Sequence, residues 1–187
     1  YMTGFNMTEV SAPLVTDVNT DVHGSCGKPR TGIQARLVDD HDLEVPRGEI
    51  GELIVRSQHP WSMNAGYNGQ PEATAAAWRN GWFHTGDLFR QDGDGNHFFV
   101  DRKKDTIRRR GENISSFEVE NSVRQYPDVD EVAAVGVESE IAEQEVMVVV
   151  TSKPGRTVDP RALTEFLIPR LPYFMVPRYV RVVAQIP

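Results

Sequence analysis

With one cysteine, Cys26, in 187 residues, the chain cannot form an intramolecular disulfide or a cysteine-rich zinc site. That scarcity suits a reducing, cytoplasmic setting. No apolar run approaches the ~18 residues a membrane-spanning helix needs, and no basic-then-apolar leader opens the sequence. Positive charge is in deficit: 20 Lys and Arg face 27 Asp and Glu, a net charge of −7, which argues against nucleic acid as the main partner. The five histidines show no metal-ligand spacing with acids or with Cys26, so no zinc is expected. Repeats and low-complexity tracts are missing. So is an initiator methionine: the chain opens at Tyr1 and stops at Ile186-Pro187, after an apolar strand-like run. It reads as a piece of a longer polypeptide.

What is present fits a soluble globular chain, with 39% hydrophobic and 25% charged residues, so extended disorder is not expected. Up to about residue 100 the sequence is rich in glycine and short strand signals. Residues 33–38 alternate loosely, 50–56 form a β-branched strand, and Asp92–Asn96 is a hairpin turn. Gln70-Pro71-Glu72 opens a short helix through Trp78. This predicts a small twisted β-subdomain. Beyond it, strands alternate with helices. Ser115–Glu120 starts a helix with Phe117, Val119, Val123 and Tyr126 as apolar positions, and residues 132–137 and 146–150 are continuous strand-length runs. Asp159-Pro160 caps a second helix through Ile168, and residues 179–183 form a third strand. The fold class expected is α+β, with helices on one face of a small sheet. Trp61, Trp78 and Trp82 are expected as core or turn anchors, His84 as a turn-packing or surface residue, and Cys26 as a small buried filler.

Residues 101–113 form a basic strip, six bases against three acids, in an otherwise acidic chain. Residues 128–145 carry seven acids and no base. The strip suits an anionic small ligand such as a phosphate, or a solvated hairpin without one. Elsewhere, Phe5–Glu9 offers an aromatic face, a hydroxyl and a carboxylate within five residues. Those groups can stack on a base, bond a phosphate oxygen and hold Mg²⁺. Thr85-Gly86-Asp87 sets a carboxylate after a glycine turn, suited to a ribose diol. Each segment is weak alone, and their order and spacing make the signal.

Taken in sequence, Phe5–Glu9, Gly51-Glu52-Leu53, Thr85-Gly86-Asp87, Asp101–Arg108, Gly111–Ile114 and Glu118-Val119-Glu120 resemble the adenylate-forming superfamily from end to end. That superfamily comprises acyl-CoA synthetases, luciferases and peptide-synthetase adenylation domains. Residues 109–115 look most like bacterial ligases of the crotonobetaine/carnitine-CoA type. The resemblance implies a C-terminal portion of such an enzyme. Residues 1–103 would be the β-subdomain of the large AMP-binding domain, and residues 104–187 a small mobile domain. It also implies a two-step reaction, in which a carboxylate and ATP give an acyl-adenylate and CoA then takes the acyl group.

By the same resemblance Phe5 would stack on adenine, Thr8 would contact the α-phosphate and Glu9 would hold Mg²⁺. Asp87, helped by Arg102, would bind the ribose of ATP or AMP. Lys104 would be the hinge. Arg108 would enter the site for the second step, and Arg110 and Gly111 would line the thiol passage, where a missing side chain eases a pantetheine arm past the backbone. Asn6 and Arg110 stand where the family usually has glycine, and asparagine tolerates left-handed backbone better than most residues. The phosphate-binding loop would lie upstream of Tyr1 and the adenylation lysine beyond Pro187, so residues 1–187 alone are expected to be inactive. Loading of a carrier-protein thiol, or a non-catalytic nucleotide-binding or interaction module, stand as alternatives. The acid activated and the oligomeric state are left open.

Overall fold

The computed structural model describes residues 1–139 and 143–186; Glu140 of the acidic run and the last residue, Pro187, lie outside the described residues. The chain divides into two compact units, Tyr1–Lys103 and Lys104–Pro187.

In the first unit, β1 (Gly4–Met7), β2 (Ser11–Val15) and β3 (Lys28–Pro29) form an antiparallel sheet. A second sheet is built from β4 (Ile33–Val38), β5 (Ile50–Ser57), β6 (Trp78–Arg79), β7 (Trp82–Gln91) and β8 (His97–Arg102). β5 and β7 are central, and all pairings are antiparallel. β-Branched residues make β5 a natural interior strand: Leu53, Ile54 and Val55 are all buried. Phe5 on β1 and Phe99 on β8 meet the buried Phe89 edge-on, with ring centroids 5.0 and 5.6 Å apart. Such contacts add about 0.5–1.5 kcal/mol each beyond area burial. Helix α1 (Pro71–Ala77) is one residue shorter than expected. Trp78 leaves the helix in an extended conformation, pairs with Phe83 and sets its ring edge-on to that side chain at 5.3 Å. Cross-strand packing wins there over helix propagation.

The second unit begins with a 3₁₀ turn, Lys103–Asp105, that spans the division. A hairpin follows, β9 (Ile107–Arg109) and β10 (Glu112–Ile114). Its sheet consists of β11 (Val129–Glu138), β12 (Gln144–Ser152) and β13 (Tyr179–Val182), with β12 central, antiparallel to β11 and parallel to β13. Helices α2 (Ser116–Val123) and α3 (Pro160–Leu167) are opened by Ser115 and Asp159, whose side chains accept from the N–H groups of Glu118 and Arg161. Each cap is worth about 1 kcal/mol. Val119 and Val123, Leu163 and Leu167 join Val146, Val148 and Val150 in one core, each buried side chain contributing roughly 1.5–3 kcal/mol. Both helices therefore cover the sheet face that carries those valines.

Two sequence expectations fail here for reasons of geometry. Phe117 is 45% exposed, because residues 119 and 123 set the buried stripe and position 117 lies off it. Trp61 is 97% exposed, at a left-handed turn with φ 68°, and so anchors no core. Trp82 is buried, with the guanidinium carbons of Arg36 and Arg56 4.9 and 4.5 Å from its ring centroid.

Candidate functional site

Asp87 owes its placement to a break in register between β5 and β7. Glu52 pairs with Leu88 and Ile54 with His84, so Thr85, Gly86 and Asp87 bulge opposite Leu53. Bulges of this kind re-aim side chains. The Thr85 hydroxyl replaces a lost ladder bond by donating to the Leu53 carbonyl at 2.7 Å, and it accepts from the Asp87 N–H at 3.1 Å. Gly86 takes φ +72°, a conformation open to glycine at little cost, and its N–H donates to Glu52 Oε1 at 3.2 Å.

Asp87 is buried, and across the strand it faces Arg102, whose Nε lies 3.8 Å from Oδ1. Burial lifts the Asp87 carboxyl above its ordinary range. Arg102 opposes the lift, while the carboxylates of Glu52, Glu9 and Asp101 add to it. Glu9, in the turn after β1, is half-buried and accepts from the Tyr67 hydroxyl at 2.9 Å. Burial, then this bond, raises the phenol above its usual range. Thr8 is exposed beside Glu9, and Phe5 is half-buried against the Phe89 cluster. In the first unit Asp87 and Arg102 thus face each other directly, and the Glu9 carboxylate lies near enough to act electrostatically on Asp87. A local surplus of carboxylates suits a cation and hydroxyl donors.

Behind them lies a polar cluster that motif reading did not assemble. Glu52 is buried, and its Oε2 accepts from Lys103 Nζ at 2.9 Å; Lys103 also reaches Asp40 at 3.0 Å. His84 Nδ1 lies 3.4 Å from the same Glu52 oxygen and 2.8 Å from Arg79 Nη2. His84 is therefore a buried member of a charge network and not a surface residue. No local sequence signal could have assembled it, since residues 52 and 84 meet only through the pairing of β5 with β7.

In the second unit, Lys104 and Arg108 are exposed, and the Arg108 N–H donates to Gln144 Oε1 at 2.9 Å. Arg110 and Gly111 form the hairpin tip with φ 53° and 82°, the paired left-handed geometry of a two-residue turn. Asn6, by contrast, sits in β1 outside the left-handed residues, so its tolerance of that conformation is not used. Part of the basic strip turns inward: Arg109 is buried, with Nε 2.6 Å from Glu145 Oε2. Glu145, fully buried, also accepts from Arg178 at 3.0 Å. A hollow of about 580 Å³ beside this group is lined by Arg109, Arg110 and Arg178 with Tyr173 and Val176 among its apolar walls.

Comparison with known proteins gives the class. The AMP-binding enzyme family matches residues 2–67, and the AMP-binding enzyme C-terminal domain matches residues 118–187. The chain belongs to the adenylate-forming, AMP-binding enzymes. It is 34% identical to the crotonobetaine/carnitine–CoA ligase of Proteus mirabilis, covering 96% of this chain and 35% of the relative. It is 41% identical to a long-chain-fatty-acid–CoA ligase of Escherichia coli, covering 91% and 32%. ATP-bound MatB of Rhodopseudomonas palustris superposes with a TM-score of 0.85 at 31% identity, covering all of this chain and 37% of that one. An amide bond synthetase, McbA of Marinactinospora thermotolerans, superposes with a TM-score of 0.80 at 31% identity, covering all of this chain and 38% of that one. The chain spans about a third of the length of the curated relatives it matches. No helix among the described residues is long and apolar enough to cross a membrane.

Proposed function

We propose that the protein containing this chain is an ATP-dependent acyl-CoA ligase, which activates a carboxylic acid as its acyl-adenylate and transfers the acyl group to CoA. One observation carries the reading: the bulge in β7 brings Asp87 and Arg102 into the same neighbourhood as Glu9. Asp87 would accept from the ribose hydroxyls, with Arg102 steadying its charge. Phe5 would offer its ring to adenine, and exposed Thr8 would donate to the α-phosphate. Among the described residues no group of three or more His, Cys, Asp or Glu could cage a metal. Mg²⁺ requires no such cage, since it binds through one or two carboxylates together with phosphate oxygens and waters. Glu9 fits that role, and Mg²⁺ would supply charge neutralisation at the reacting phosphate.

Residues 1–103 would then be part of the large nucleotide-binding domain and residues 104–187 the small domain, with Lys104 as hinge. Exposed Arg108 and the Arg110-Gly111 tip would serve the thiol-transfer step. Free CoA is favoured over a carrier-bound thiol by the hollow where Arg110 and the half-exposed Arg178 offer cations, Arg109 beside them being committed to Glu145. Cations beside apolar and aromatic walls suit CoA's several phosphates and its base, whereas a carrier-held pantetheine brings a single phosphodiester.

The test is carboxylate-dependent ATP–pyrophosphate exchange in the full-length protein, followed by thioester formation with CoA or a carrier protein. Exchange by the full-length protein and not by residues 1–187 is the expected result. Transfer to a carrier thiol but not to CoA would move the function to carrier loading. No exchange with any acid would leave a non-catalytic nucleotide-binding module.

A further inference from the structure

The two oxygens of the Glu52 carboxylate hold different parts of the first unit. Oε1 accepts from the N–H of Gly86, the glycine of the bulge that presents Asp87, at 3.2 Å. Oε2 accepts from Nζ of Lys103 at 2.9 Å, and Lys103 is the last residue before the division between the units. Glu52 is almost fully buried on a central strand and has little freedom to follow either partner. Asp40 holds the ammonium from its other side at 3.0 Å.

We propose that Glu52 and Lys103 are positioning residues that couple the nucleotide-facing bulge at Gly86-Asp87 to the point where the chain leaves the first unit. This deepens the ligase reading and rests on it. A carboxylate whose second oxygen is pinned by an ammonium keeps its first oxygen aimed at Gly86. Nucleotide held by Asp87 then steadies Gly86, Glu52 and Lys103 together, and backbone rotation begins at Lys104. The charge states agree with the geometry. Burial alone would lift the Glu52 carboxyl, but Lys103 and, after it, His84 together outweigh burial and hold the group below its ordinary range. Burial likewise disfavours the Lys103 ammonium, and Glu52 and Asp40 carry it above its usual range.

Lys103→Met and Lys103→Arg in the full-length protein test the link. Two readouts are taken: backbone amide exchange, with and without AMP, and the two half-reactions. In Lys103→Met, exchange should accelerate about tenfold in the peptides covering both residues 85–88 and residues 103–106. Thioester formation should fall about tenfold; ATP–pyrophosphate exchange at saturating ATP should stay within about twofold, the loosened bulge showing instead as a raised KM for ATP. Lys103→Arg, which keeps the charge and the reach, should restore both. Acceleration confined to 103–106, no acceleration at all, or no recovery in Lys103→Arg would overturn the link. If the wild type activates no carboxylic acid, the ligase reading fails, and amide exchange alone still decides whether Glu52 joins the two segments.

Discussion

The hydroxyl of Tyr67 donates to Oε1 of Glu9 across 2.9 Å, joining residues 58 apart in sequence. A second tie binds the same segments, since the Asn64 N–H donates to the Glu9 carbonyl at 2.8 Å. Glu9 is thus held by the loop that precedes α1 and does not depend on its own turn alone.

Tyr67→Phe should consequently leave the fold intact and loosen the carboxylate. Losing one half-buried hydrogen bond of about 1 kcal/mol corresponds to roughly fivefold weaker use of Mg²⁺ and ATP. Initial-rate measurements over Mg²⁺ and ATP concentrations check this, and an unchanged dependence on both would separate Tyr67 from the Mg²⁺ role proposed for Glu9.

Residues with a local signature were legible in the sequence. The alternation of 33–38, the β-branched run at 50–56 and the Asp159-Pro160 cap each specify their element through nearby chemistry, and each element forms where expected. The Glu9, Asp87 and Arg102 grouping came from motif order. What escaped depends on partners distant in sequence. Arg109 looked like one more cation for a phosphate until Glu145, from the acidic run, proved to be buried against it. The Glu52–Lys103 pair needs a strand register that no local window contains.

Asp87 is held at a cost to the fold. Burial and three neighbouring carboxylates raise its folded-state pKa above 3.8, with Arg102 only partly opposing. The sign follows from proton binding: as pH rises above 3.8 the unfolded chain releases this proton first, so stability falls through that window. Glu52 acts oppositely, because its lowered pKa contributes stability above 4.5 that is lost as pH falls through the folded value. Asp87→Asn should therefore raise the melting temperature at neutral pH by about 2 °C. The gain should vanish near pH 3, where the wild-type carboxyl is protonated in both states. The same variant should raise the KM for ATP about tenfold, for one lost charged hydrogen bond. A melting temperature that drops at neutral pH would mean that Asp87 stabilises the fold and carries no functional strain.

Lys104 occupies the middle of the 3₁₀ turn Lys103–Asp105. Proline there fixes its own φ and pushes Lys103 out of helical backbone. If chain rotation at this residue separates the half-reactions, Lys104→Pro should depress thioester formation by up to about 100-fold, and adenylation far less. Rapid-quench measurement of each half-reaction decides the matter, and equal losses in both would remove the hinge.

Glu145 is fully buried between Arg109 and Arg178, and Arg109 is itself buried. Removing one member of such a group strands the remaining charge, which costs about 3–5 kcal/mol, whereas replacing both buried partners with apolar residues is often neutral. Glu145→Leu should lower the unfolding transition of the second unit by more than roughly 10 °C. Adding Arg109→Met should recover much of that loss, because Arg178 is 43% exposed in its side chain and remains hydrated. The contrast distinguishes the cost of an unpaired buried charge from lost packing: a double variant no more stable than Glu145→Leu would show that this cluster supports the fold through its shape and its hydrogen bonds to the Phe174 and Val176 carbonyls.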